Sequence, residues 1–236
     1  MKATLLRRLV SECLGTGFLV AAVVGSGIMG ERLAGGNGAI ALLVNTIATS
    51  AALLALILTF GPISGAHLNP AVSIVDAIEH GLSWTVAGYY VLAQCFGAVG
   101  GSIMAHLMFR LPAISFSHHV RSGSAQIFSE FIATFGLLCV IWGCSRKRSA
   151  LVPFAVAAYI TAAYWFTSST SFANPAVTIA RSLSDTFAGI RPADVSPFVL
   201  AQLSGAFAAT FLFRWLLPKL PSRAKAILAS TEPVAR

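Results

Sequence analysis

The chain reads as an all-α membrane protein: six transmembrane helices plus two re-entrant half-helices arranged as an inverted repeat. Three observations predict this. The 236 residues are 56% hydrophobic and only 10% charged, with a mean hydropathy of +0.79. A soluble domain carries about 25% charge, so this chain could not cover a soluble surface. Its apolar runs exceed the roughly 18–20 residues a helical span needs, so helices rather than a barrel cross the bilayer. Finally, one tripeptide, Asn-Pro-Ala, occurs twice, at Asn69-Pro70-Ala71 and Asn174-Pro175-Ala176, each after a long apolar segment and opening a short one.

The elements follow in order. Span one covers about Leu9 to Met29 after a basic start (Lys2, Arg7, Arg8), and the loop Gly30–Gly38 is short and glycine-rich. It has no small-residue cleavage site and reads as a retained span, not a signal peptide. Span two covers about Ala39 to Phe60, where Gly61-Pro62 is expected to break it. The chain then re-enters through the loop holding His67 and Asn69, and the half-helix from Pro70 ends near Gly81. Span three covers about Thr85 to Phe109, followed by a polar segment, 110–124, with His118 and His119. Span four covers about Ala125 to Cys144 and span five about Leu151 to Thr167, separated by Arg146-Lys147-Arg148. The Thr/Ser cluster 167–171 unwinds into a second re-entrant loop, whose half-helix runs from Pro175 to near Ala188. Span six covers about Ser196 to Leu217, and Pro218 begins a basic tail, 218–236.

Residues 1–217 thus form one domain of two repeats, about 1–110 and 125–217. Three spans per repeat is an odd number, so the halves insert with opposite orientation and the site falls at their interface. With the N-terminus inside, the inner segments hold Lys2, Arg7, Arg8, Arg146, Lys147, Arg148, Lys219, Arg223, Lys225 and Arg236. The outer segments hold only Arg32, Arg110, Arg121 and Arg191. The positive-inside rule then places both termini in the cytoplasm. The net charge of +8 reflects topology and contact with anionic lipid heads. No basic aromatic cluster lies in a soluble domain, so nucleic-acid binding is not expected. Cys13, Cys95, Cys139 and Cys144 sit in or beside apolar spans, at spacings that suggest neither a metal site nor a disulfide framework.

The duplicated tripeptide suits a helix start. Proline has no N–H to lose and presets φ at the first helical position, and the asparagine before it caps free backbone N–H groups. Each short helix points its positive end at the bilayer centre. There Asn69 and Asn174 are expected to donate amide hydrogens to a passing oxygen, while a cation meets two positive ends. Glu12 and Glu130 are acids inside apolar spans, where such residues form pairs or serve function. His67 reads either as a pore-wall residue or as a fixer of its loop; His118 and His119 read as solvated loop histidines. Arg181 shares a helix face with Val177, four residues earlier, and leans back toward it. It therefore reads as an outer-mouth charge, a partner of Asp185, or a snorkelling cation. No nucleophile–base or metal constellation appears, so the chain is not read as an enzyme, and no cofactor is expected.

The motif pair, with Glu12-x-x-Gly15-Thr16 and Glu130-x-x-Ala133-Thr134, resembles the aquaporin and aquaglyceroporin family (major intrinsic proteins) along nearly the whole chain. The resemblance implies a passive channel for small uncharged solutes, in a homotetramer with one pore per subunit. It implies that Glu12 and Glu130 hydrogen-bond the re-entrant loops. Matched by spacing, the family's filter positions fall on Thr49, Ala162, Ser171 and Val177. Val177 stands where the family carries arginine, and Thr178 where glycerol facilitators carry aspartate. A small, neutral, wide filter is therefore expected. Similar size and the absent filter liken the chain to bacterial arsenic-operon channels of the inner (plasma) membrane. That likeness implies arsenite and methylated arsenicals beside glycerol and water. The rival readings are a general glycerol and water facilitator, a proton-coupled secondary transporter, and a structural membrane protein with a closed pore.

Overall fold

A computed structural model describes residues 3–145 and 148–217. Lys2, Arg146, Lys147 and the basic tail 218–236 lie outside the described residues, so part of the charge asymmetry does too.

Among the described residues eight α-helices follow one another: α1 (Leu5–Leu33), α2 (Gly38–Ser64), α3 (Pro70–Ile78), α4 (Trp84–Met108), α5 (Ser124–Ser145), α6 (Val152–Phe166), α7 (Pro175–Arg181) and α8 (Val195–Leu216). Single 3-10 turns at Ser149–Leu151 and Pro192–Asp194 lead into α6 and α8. With those turns counted, six of the helices are long and apolar enough to cross a membrane, and the chain is a multi-pass membrane protein. Side chains such as Phe18, Ile47, Leu92, Phe96, Phe211 and Trp215 stay exposed on the outside of the bundle. That pattern suits lipid contact.

Two boundaries differ from the sequence expectation. Pro62 does not break α2 but sits inside it, and the helix ends two residues later. Proline forfeits its own N–H to the Leu58 carbonyl four residues back, but the residues after it keep their donors, so the helix continues past it. The actual stop is Gly65, a left-handed cap (φ +94°) whose N–H bonds the Gly61 carbonyl. The half-helices are also shorter than expected, ending at Ile78 and Arg181 rather than near Gly81 and Ala188. After Arg181 the chain closes in a series of tight backbone turns through Ser184 and Gly189.

The repeat is visible in the packing. In the first half α1 packs on α2 and α4; in the second α5 packs on α6 and α8; α2 meets α6 between them. Glycine permits the closest approach at matching places. A Cβ on Gly97 of α4 would lie 2.0 Å from the Cys13 carbonyl oxygen of α1, and one on Gly205 of α8 would lie 2.3 Å from that of Phe131 on α5. Small residues bring backbones together this way in membrane bundles. The half-helices are exchanged between the two cores. Val72 and Val75 of α3 pack with Ile141, Trp142 and Ala209 of the second half. Ala176, Val177 and Ala180 of α7 pack with Val20, Val24 and Ala98 of the first.

Candidate functional site

Both re-entrant loops run through unusual backbone. Ala66 and Leu68 flank His67 with positive φ (45° and 50°), and Ser171 and Ala173 flank Phe172 likewise (51° and 47°). Non-glycine residues adopt this region reluctantly, and such conformations persist only where the surroundings over-determine them. The two glutamates supply that constraint. Glu12 accepts from His67 N (3.0 Å), Leu68 N (2.7 Å), Ser64 Oγ (2.6 Å) and Gln94 Nε2 (2.8 Å). Glu130 accepts from Phe172 N (2.9 Å), Ala173 N (2.9 Å) and Gln202 Nε2 (2.6 Å). Both carboxylates are fully buried and act only as acceptors. Gln94 passes its second amide hydrogen to Ser73 Oγ and Gln202 its second to Thr178 Oγ1, each 2.9 Å, tying the half-helices in. The sequence reading missed both glutamines. The signal was there: an amide in the middle of spans three and six, at matching places in the two halves.

The asparagines meet at the centre. Asn69 caps α3 through Ala71 N, and Asn174 caps α7 through Ala176 N and Val177 N. Each also donates to the opposite loop: Asn69 Nδ2 to the Ala173 carbonyl and Asn174 Nδ2 to the Leu68 carbonyl, both 2.8 Å. An amide nitrogen carries two hydrogens; one from each asparagine staples the halves together, and the other meets no acceptor among the described residues.

A narrow cavity of about 80 Å³ passes these groups. Four helices give it apolar walls in rows spaced by four residues: Leu19 and Val23, Thr49–Leu53–Ile57, Leu137 and Ile141, and Val152–Val156–Ile160–Tyr164. Residues i and i+4 share a helix face. Against these walls lie the loop segments 65–69 and 171–174 with Val177 and Arg181. Polar atoms thus concentrate on the loop side of a mostly hydrocarbon passage, the Thr49 and Tyr164 hydroxyls being the exceptions on the helix walls.

The spacing of four residues corrects one expected position. Ala162 lies on the exposed face of α6, outside the lining. Tyr164, two residues on and therefore on the opposite side of the helix, lines the cavity and donates to Thr49 Oγ1 at 3.2 Å. Thr49, Ser171 and Val177 do line it. The Ser171 hydroxyl is buried without a hydrogen-bond partner among the described residues. His67 both lines the cavity and is held, by Ser73 Oγ at 3.1 Å, with the Asp76 carboxylate 3.8 Å away. Arg181 pairs neither with Asp185 nor with solvent. It is 2% exposed, its Nε donates to the Ala188 carbonyl, and its guanidinium lies 3.3 Å over the Phe172 ring. Asp185 instead holds the exposed His118 through His118 N (2.9 Å) and Nδ1 (3.1 Å). Arg121, read only as an outer charge, is buried in the loop before α5. It donates to the carbonyls of Gly189 and Ser169 at 2.8 and 3.2 Å. Burial pushes its guanidinium down to about 10.

The sequence profile of the major intrinsic proteins matches residues 1–168. The chain belongs to that family. Aquaglyceroporin AqpS of Rhizobium meliloti (strain 1021) is 53% identical to it over 229 residues, covering 97% of this chain and 96% of the relative. Aquaporin NIP1-4 of Oryza sativa subsp. japonica is 30% identical over 220 residues, covering 90% and 78%. The fold matches the X-ray structure of the aquaglyceroporin from Plasmodium falciparum with a TM-score of 0.72 over 91% of this chain and 98% of that one, at 20% identity. As a major intrinsic protein the chain is an aquaglyceroporin-type membrane channel, not an enzyme.

Proposed function

We propose that this major intrinsic protein is a passive channel for small uncharged hydroxylated solutes: glycerol-class polyols, trivalent arsenite and methylated arsenicals, with water. The observation that carries this reading is the two-sided cavity. Its apolar walls suit the CH groups of a polyol, while Asn69, Asn174 and Ser171 offer polar contacts along the other side. At neutral pH arsenite is an uncharged, polyol-like species and meets the same groups. Ions fare worse, since a narrow hydrocarbon-walled passage with positive helix ends at its centre replaces little of their hydration. Thr49, Ser171, Val177 and Tyr164 are the residues proposed to tell these solutes apart. His67, Glu12 and Glu130 are proposed as supports of the passage. The chain is proposed to sit in the bacterial inner membrane with both termini cytoplasmic and to assemble as a homotetramer, one pore per subunit.

The test is stopped-flow uptake by liposomes holding the full chain, across water, glycerol, urea and arsenite. Uptake should follow each solute's own gradient and ignore imposed proton or sodium gradients. Uphill accumulation driven by an ion gradient would replace the channel reading with coupled transport. Equal glycerol permeability without arsenite permeability would leave a general glycerol and water facilitator.

A further inference from the structure

Val177 brings no charge to the cavity, yet a guanidinium still reaches it, that of Arg181. The two half-helices explain how. Seven residues beyond Asn69 stands Asp76, and seven beyond Asn174 stands Arg181. Each approaches the residue two before its own asparagine. The Asp76 carboxylate lies 3.8 Å from the His67 ring, and the Arg181 guanidinium 3.3 Å over the Phe172 ring. The repeat therefore places a side chain of opposite charge at the same position in each half.

Two arginines flank Phe172, and they differ in what remains free. Arg121, 5.0 Å from the ring, spends all three of its guanidinium nitrogens on the carbonyls of Gly189, Ser169 and Phe187. Arg181 spends only Nε, on the Ala188 carbonyl; neither terminal nitrogen meets an acceptor among the described residues. No carboxylate among the described residues pairs with it. Asp185 is turned to His118, and Glu130 is occupied by the backbone of Phe172 and Ala173. A buried, unpaired guanidinium is costly if its only task is to hold a loop. A neutral donor would serve Ala188 as well. The stack on Phe172 fixes the plane of the fork, and Arg181 itself lines the cavity.

We propose that Arg181 sets specificity at the α7 end of the passage. Its fixed positive charge repels cations, and its two free nitrogens offer paired donors to an oxygen of a neutral permeant. The residue thereby supplies from the last turn of α7 what position 177 lacks. This rests on the channel reading above.

The experiment compares wild type, Arg181→Gln and Arg181→Lys as full chains in liposomes at equal protein. Sodium and proton leak, water permeability and glycerol permeability are read together, with size-exclusion profile and thermal unfolding as folding controls. Arg181→Gln should raise cation leak by about tenfold, a change of about 1.4 kcal/mol in barrier. Arg181→Lys should keep the cation barrier but shift the glycerol-to-water ratio, because an ammonium lacks the planar fork. A loop anchor alone predicts the same loss in both variants. A folded Arg181→Gln protein with unchanged leak and unchanged ratio overturns the proposal. If that variant does not fold, an unchanged ratio in Arg181→Lys overturns it instead. A wild type that passes neither glycerol nor water would refute the channel reading, whereas a conducting wild type with indifferent variants refutes only the role of Arg181.

Discussion

Glu130→Gln tests whether the glutamates hold the strained loops. The carboxylate spans Phe172 N and Ala173 N, each at 2.9 Å, and also receives Gln202. A glutamine offers one oxygen, so its amide nitrogen must face at least one of these N–H donors. Gln202 can adapt by turning its amide, because its Oε1 has no partner in the native arrangement. The two backbone donors cannot. One is orphaned in either orientation. Losing a hydrogen bond to a carboxylate costs about 1.5–3 kcal/mol and leaving a buried N–H unpaired about 1–3 kcal/mol, so overlapping terms give about 2–5 kcal/mol in total. That is enough to release Ser171 and Ala173 from their left-handed conformations, which cost about 1–3 kcal/mol each. Glu12 carries four donors, two of them side chains, so Glu12→Gln should be at least as damaging. The assay is thermal unfolding in detergent with glycerol uptake in liposomes. Both variants should unfold earlier and lose uptake. A Glu130→Gln protein with native unfolding temperature and native uptake refutes the tether.

Asn174→Asp sets a carboxylate oxygen where the amide now donates to the Leu68 carbonyl at 2.8 Å. It should cut glycerol uptake and admit cations, read as liposome conductance; a folded Asn69→Asp/Asn174→Asp double variant with native permeability removes the asparagines from the mechanism. Val177→Arg adds a second guanidinium one turn from Arg181. It should narrow the passage and reduce glycerol and arsenite flux more than water flux; an unchanged ratio shows that position 177 does not select. Tyr164→Phe removes the bond to Thr49, worth about 0.5–1.5 kcal/mol, and should change solute ratios with little loss of unfolding temperature, whereas the same substitution made at Tyr159 should not change those ratios. The hydrogen bond from His118 N, with that from its ring, holds the Asp185 carboxyl below the usual carboxylate range. Its tether therefore stabilises the loop above that range and is lost only as pH falls through the lowered value. Protection of the amides of residues 115–119, corrected for the intrinsic pH dependence of exchange, should match at pH 7 and pH 5 and fall under stronger acid; a fall already at pH 5 contradicts the sign.

The sequence made the spans and the two half-helix starts legible, because hydropathy and a proline-capped motif act locally and leave strong marks; the glutamate tethers were expected only through the family resemblance. Side-chain direction was harder to see. Ala162 entered the expected filter by counting from a motif on another helix, and a slip of two residues on α6 exchanges the cavity face for the exposed one. The row Val152–Val156–Ile160–Tyr164 shows the true face. Pro62 was read as a break because proline disfavours helix interiors, but its lost donor and ring crowd the turn before it, and the stop itself falls at the left-handed Gly65. Gln94 and Gln202 were passed over because an isolated amide carries no motif, although a buried amide in hydrocarbon demands partners.

The repeat also explains where selectivity can reside. Where the halves agree, they build one central device: Glu12 with Glu130, Gln94 with Gln202, and Asn69 with Asn174, each asparagine stapled to the other half's loop. Exchanged half-helices make that device hard to distort, since displacing α3 or α7 disturbs both cores. A symmetric centre treats a solute alike from either direction and cannot by itself tune each mouth. On the proposed reading the tuning falls to positions where the halves diverge. His67 faces Asp76 in one loop and Phe172 faces Arg181 in the other. The two ends of the passage therefore differ in charge and in donors while sharing one scaffold. Substitutions at these divergent positions should alter which solutes pass, and substitutions at the matched positions should alter whether the passage exists at all.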